Sequence, residues 1–218
     1  MEHLGAHEVF NIAGISVTNT VTLTWVLMAF LFVVSFLITR KVEIIPSGFQ
    51  NFIEMIFEFL IDLIEQNIGP KGVKAFPLLG SLFLFILLGN WMGSVPFLGS
   101  PTSDLNTTVA LALTVLFSIQ FLGVKEKGFG FFKHFLTPNP MMLPLNIVEE
   151  LSKPLSLSFR LFGNVMGEHI VVAVLLFLVP LAVPVPMMMF GLFTGALQAY
   201  VFTILSTVYL GAVYADHH

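Results

Sequence analysis

Charge is scarce in this sequence. Only 10% of its 218 residues are Asp, Glu, Lys or Arg, while 56% are hydrophobic; soluble domains carry about 25% charge. That shortage excludes an ordinary water-soluble fold and points to a membrane protein. Cysteine is absent, which excludes thiolate metal sites and leaves the redox compartment unreadable. The net charge of −4 offers nothing to nucleic acid. No metal-ligand cluster, nucleophile–base pair or phosphate loop is present, so neither a cofactor nor a metal is expected and a membrane enzyme is disfavoured. No Lys or Arg precedes Arg40, and the first apolar run is too long for a leader's apolar core, so no cleavable leader is expected.

What the sequence has instead is long apolar runs. Residues 1–20 read as an external N-terminal segment. The run "TLTWVLMAFLFVVSFLITRK" gives a helix over 21–39, closed by Arg40 and Lys41, just long enough to cross a hydrocarbon core of roughly 30 Å. In "NFIEMIFEFLIDLIEQNI", Glu54, Glu58, Asp62 and Glu65 fall on one helical face. Four acids on one stripe argue against spanning. Residues 48–67 read as an amphipathic helix lying in the membrane interface, or laid against other helices with a solvated acidic edge. Helices over 76–98 and 105–124 follow, joined by "GSPTSDLNTT", whose Gly99, Pro101, Asp104 and Asn106 are turn and cap chemistry.

Two longer segments close the chain, over 146–179 and 187–214, joined by the Pro-rich "VPLAVPVP". About 34 and 28 residues make helices of roughly 50 and 42 Å. A core of roughly 30 Å takes them only at a steep tilt, even with a kink at Pro154. The fold class is therefore all-α and membrane-embedded: five inserted helices, the last two long and tilted, plus an interfacial helix. Arg40, Lys41, Lys71, Lys74, Lys125, Lys127 and Lys133 fall on one side if the first three spans cross in turn, while residues 1–20 and 99–104 hold no Lys or Arg. That asymmetry predicts an external N-terminus and a cytoplasmic C-terminus.

The residue that needs explaining is Arg160, in "SLSFRLFGN". A charge among Leu and Phe costs several kcal/mol in a membrane unless it is compensated, so it marks a functional site. At 100° per residue, Ser156, Gly163, Asn164 and Gly167 fall within about 60° of it. The stripe is small and polar, and Gly163 and Gly167 allow close approach of another helix. It faces protein or water, and something opposite should carry negative charge. On the last segment Gln198 shares a face with Gly191, Thr194, Gly195 and, further on, Tyr209. Gln198 could reach Arg160 and hold its guanidinium. Glu168 lies about 80° and His169 about 180° from Arg160, so neither is its stacked ion-pair partner. Both titratable groups sit deep in an apolar run, and a water-filled proton path accounts for them best.

Arginine suits a gate. Its guanidinium keeps its proton in proteins, so it does not carry the travelling ion. A fixed cation instead makes a mobile carboxyl opposite it release its proton.

The blocks "EELSKPLSLSFRLFGNVMGEH", "GALQAYVFTILSTVYL" and "SPTSDLNTTVALAL" resemble subunit a of the F-type ATP synthase, the membrane stator of its ion motor. The resemblance covers essentially the whole chain. It implies that Arg160 faces the essential carboxylate of a rotating c-subunit ring, that Gln198 lies beside it, and that two offset aqueous half-channels lead there. It implies an ion path that includes Glu168, His169, Asn164, Ser156 and Tyr209, with Asp104 and Asn106 near the outer inlet. The expected ion is the proton. The implied partners are the c-ring, peripheral-stalk b subunits, the rest of the complex and the bilayer, in a bacterial inner membrane. The chain would perform no ATP chemistry itself. One departure stands out: many bacterial members read "GNxxAGE", with Glu nine residues after the arginine. Here His169 holds that place, as in the mitochondrial type, and Glu168 precedes it; either could line the inlet. The competing reading is a self-contained channel or secondary transporter. Such proteins usually show inverted repeats and broken binding-site helices, and neither is visible here.

Overall fold

The computed structural model describes residues 8–12, 15–40, 48–94, 99–128, 130, 141, 143–178 and 184–215. Among these residues six helices carry the fold: α1 (Asn19–Thr39), α2 (Phe49–Ile68), α3 (Phe76–Gly93), α4 (Leu105–Lys127), α5 (Leu143–Leu178) and α6 (Pro184–Ala215). Short 3₁₀ turns at Pro70–Ala75 and Pro101–Ser103 lead into α3 and α4. Among the described residues five stretches are long and apolar enough to cross a membrane: α1, Pro70–Gly93, Leu105–Lys125, α5 and Val185–Val213. The chain is an all-α membrane protein.

The helix ends follow local chemistry. Pro77 sits in the first turn of α3, and Pro184 and Pro186 in that of α6. A missing N–H costs nothing there, so α6 starts ahead of residue 187, inside the Pro-rich connection. Asp104 caps α4: its Oδ1 accepts from the Asn106 backbone N–H at 2.9 Å. Gly69 after α2 and Gly128 after α4 take positive φ, 83° and 61°, a conformation glycine adopts without a Cβ penalty.

The N-terminal segment and several helix bounds differ from the sequence reading; α4 runs on to Lys127 and α5 starts at Leu143. Ahead of α1, Glu8–Ile12 pairs antiparallel with Ile15–Thr18, with Phe10 opposite Val17 and Ile12 opposite Ile15. A run rich in β-branched residues around a two-residue link has the composition of a hairpin, where the sequence reading gives only an external N-terminal segment. Helix α3 ends at Gly93; residues 95–98, where the third segment was expected to finish, lie outside the described residues. So do Lys41 and Lys133 of the basic loops.

Helix α6 is the hub, packing against α2, α3, α4 and α5. Buried Leu60, Ile64, Leu79, Ile86, Leu157, Leu161, Phe202 and Leu210 form the core between these helices. Helix α1 is peripheral: it buries Thr20 and Leu27 and leaves Trp25, Phe30, Phe32 and Phe36 exposed. Exposed aromatics in that number would aggregate in water but suit a lipid face. Helix α5 has 36 residues and α6 has 32, about 54 and 48 Å, both longer than a hydrocarbon core of roughly 30 Å. Helix α5 runs unbroken through buried Pro154.

Helix α2 is not among the candidate spans. It buries Leu60, Leu63 and Ile64 against its neighbours and leaves Phe52, Met55 and Phe59 exposed. Glu58, Asp62 and Glu65 are exposed on a third face, and half-buried Glu54 accepts from Gln50 Nε2 at 2.7 Å.

Candidate functional site

The two longest helices carry the site. Along α5, Leu157, Leu161 and Val165 recur every four residues and are all buried, which turns one stripe of the helix inward. The neighbouring stripe holds Ser156, Arg160, Gly163 and Gly167, and all four are exposed. A Cβ built on Gly163 or Gly167 would meet nothing within 4 Å. Among the described residues no other helix occupies the close approach that those glycines allow. Arg160 makes no hydrogen bond or ion pair among the described residues. A fixed cation thus stands on an open face of a membrane helix.

Behind it, two amides are left incomplete. Asn164, at the border between the open and the packed stripes, has a buried Nδ2 with no partner; Gln198, 8% exposed on α6, has a buried Nε2 with none. Buried polar atoms are paired in the great majority of cases, and an exception needs an explanation. The hydrogen bond from Arg160 to the Gln198 oxygen that the sequence suggests is not formed. Gln198 is turned into the packing of α6, while Arg160 points out of α5. Guanidinium has only donors, so the Gln198 oxygen is the one atom that could accept from it.

Glu168 and His169 lie about two and a half turns beyond Arg160, where α5 meets the end of α3. Ser94 Oγ donates to Glu168 Oε1 at 2.9 Å, and His169 Nε2 lies 3.2 Å from the Gly93 carbonyl oxygen. The Glu168 carboxylate also rests against Gly191 of α6, where any Cβ would overlap it. A Cβ on Gly93 would come within 2.8 Å of both His169 Nε2 and Ser100 Cβ. Three helices and the α3–α4 turn therefore converge on this pair. Asp104 is in that turn. Besides capping α4, its Oδ2 accepts from Thr20 Oγ1 of α1 at 2.9 Å. Asn106 is exposed beside it.

Tyr209 stands at the other end. It lies 11 residues beyond Gln198, about 16 Å along α6, with Lys153 Nζ 5.8 Å from its ring centroid. Lys153 pairs with Glu150, and Glu150 accepts from Gln120 of α4 at 3.2 Å. The polar residues thus fall into three levels: Glu168, His169, Asp104 and Asn106 at one end; Arg160, Asn164 and Gln198 in the middle; Tyr209, Lys153 and Glu150 at the other. Among the described residues no group of His, Asp and Glu is placed to hold a metal.

Sequence reasoning missed one buried network. Asn90 of α3, 4% exposed, donates to the Gly195 carbonyl at 3.0 Å and accepts from Thr102 Oγ1 at 2.8 Å. Ser100 Oγ donates to the Gly89 carbonyl at 2.8 Å and lies 2.7 Å from Thr102 Oγ1. This ties the α3–α4 turn to α6 three residues before Gln198. The signal available was a single Asn within an apolar run, without the spacing that marked Arg160.

A family model described as ATP synthase A chain matches residues 21–211, nearly the full chain.

Proposed function

The chain belongs to the ATP synthase A chain family, and from that premise we propose that Arg160 is its ion-release gate, set against a carboxylate of a rotating ring of c subunits. As a member of that family it is an integral membrane subunit of an ATP synthase complex and takes part in the ion transport that drives ATP synthesis. The observation that carries the gate is the unpaired Arg160 on an open stripe of small residues. A membrane-embedded cation without a partner in its own chain calls for an anion from another.

In apolar surroundings a ring carboxyl keeps its proton, because desolvation disfavours the charged form; opposite a guanidinium the ionised form is favoured. The proton is released there, and rotation carries the emptied site toward a fresh supply. Arg160 stays charged throughout and bars cations from leaking past. Gln198 acts as its positioning residue, through its oxygen, once the ring face closes over the site. Ser156 and Asn164 flank the contact.

The three polar levels support two half-channels. Glu168 and His169, with Asp104 and Asn106 beyond them, line the outer one; Tyr209 lies on the inner one. In this reading the N-terminus is outside and the C-terminus cytoplasmic, the chain is a stator held by peripheral-stalk b subunits in a bacterial inner membrane, and the ion is the proton. The four-acid face of α2 meets cytoplasmic water while Phe52, Met55 and Phe59 meet lipid, which supports its place in the interface.

The test is ATP-driven pumping by the reconstituted complex. Arg160→Ala should abolish pumping and gradient-driven synthesis while assembly persists, because an exposed side chain without partners contributes little to the fold. Passive leak should rise. An assembled Arg160→Ala complex that pumps near the wild-type rate ends this reading.

A further inference from the structure

A groove of about 550 Å³ opens between the start of α3 and the end of α4. Its walls are Pro77 and Leu78 on α3 and Phe117, Phe121 and Leu122 on α4, with Lys74 at its mouth. Among the described residues no acidic side chain lines it. Phe117 and Phe121 are 67% and 68% exposed, so one side is open. Lys125 lies one turn beyond Phe121 on the same face of α4 and is also exposed. Lys74 and Lys125 make no ion pair or hydrogen bond among the described residues, in contrast to Lys153, which has Glu150.

The order of these groups along the membrane normal is informative. Lys74 stands in the 3₁₀ turn just ahead of α3, and Lys125 in the last turn of α4. Both α3 and α4 are candidate spans, so the two ammonium groups share one end of an antiparallel pair, at the depth of the lipid headgroups. From there the apolar wall runs inward from Leu122 to Thr114, about 12 Å along α4. Thr114 and Ser118 donate to carbonyls of their own helix and offer no free donor to a ligand.

We propose that this groove binds an anionic phospholipid, its phosphate between Lys74 and Lys125 and an acyl chain along Phe117, Phe121 and Leu78. Basic pockets between membrane helices attract anionic headgroups, and only such a lipid presents negative charge and hydrocarbon in the order found here. A zwitterionic lipid would fill the apolar wall and leave two cations uncompensated. A partner helix would cover the phenylalanines but needs acids at its end to meet both lysines. Free phosphate would use the lysines alone.

The test uses the whole ATP synthase complex in mild detergent with phosphatidylglycerol carrying a diazirine on its acyl chain, and reads cross-linked peptides by mass spectrometry. Label should appear within 74–78 and 114–122. It should fall about tenfold with the matching phosphatidylcholine probe and about tenfold in Lys74→Gln/Lys125→Gln. Lys74→Arg/Lys125→Arg, which keeps both charges, should retain it, and millimolar inorganic phosphate should not compete. Equal labelling by the two lipids, no loss in the Gln variant, or displacement by phosphate overturns the proposal. So does absence of lipid label together with cross-linking of a Phe121→Cys variant to another subunit, which would assign the groove to a protein partner.

Discussion

The carboxylate of Glu168 on α5 lies directly against the backbone of Gly191 on α6, in space that any side chain at position 191 would fill. The acid can be held between α3 and α6, accepting from Ser94, only because that position is glycine. Gly191→Ala should displace the carboxylate and break that hydrogen bond. Overpacking of this kind costs about 1–3 kcal/mol. ATP-driven pumping should fall severalfold, and Glu168→Gly added to Gly191→Ala should recover complex stability without recovering the rate. Unchanged pumping in Gly191→Ala would mean that Glu168 does not serve the ion path.

Gln198→Leu removes a buried amide nitrogen that has no partner. Deleting an unsatisfied polar group is close to neutral or stabilising, so thermal stability of the complex should hold or rise slightly. Coupled pumping should weaken but persist, since the guanidinium stays in place. Complete loss, equal to that of Arg160→Ala, would make Gln198 more than a positioning residue.

Asp104 has a structural task and a proposed path task, and two variants separate them. Asp104→Ala loses the α4 cap and leaves Thr20, 8% exposed, without its carboxylate acceptor. The cost should be about 1–3 kcal/mol, seen as a lower temperature of complex dissociation. Asp104→Asn keeps the Oδ1 that caps α4 and puts an amide N–H where Oδ2 stood, which the Thr20 hydroxyl can accept from, so stability should stay near wild type while pumping slows. A wild-type rate in Asp104→Asn would confine Asp104 to capping.

Glu58 tests the place of α2. Its side chain is exposed on the acidic face, so a Glu58→Cys variant in sealed vesicles should react with a membrane-impermeant maleimide from the cytoplasmic side only. Labelling from the outside alone would reverse the orientation; labelling from neither side would bury the acidic face against a partner.

The sequence by itself determined where helices form and which stripe is odd. Span length, the 3.6-residue period and the cost of a charge in hydrocarbon are local or additive properties, so Arg160, its small neighbours and the acidic stripe of α2 could all be read in one dimension. The hairpin ahead of α1 was missed because four- and five-residue strands gain their stability from pairing, which leaves a weak local signal. Only the tertiary structure decided that the Arg160 stripe stays open, that Gln198 turns inward instead of bonding the guanidinium, that Glu168 needs Gly191, and that Asn90 holds Gly195 across 105 residues of chain. Each depends on which helix faces meet. In a chain so uniformly apolar, hydrophobicity does not tell one face from another, and the choice falls to close packing and to the few polar groups that must find partners.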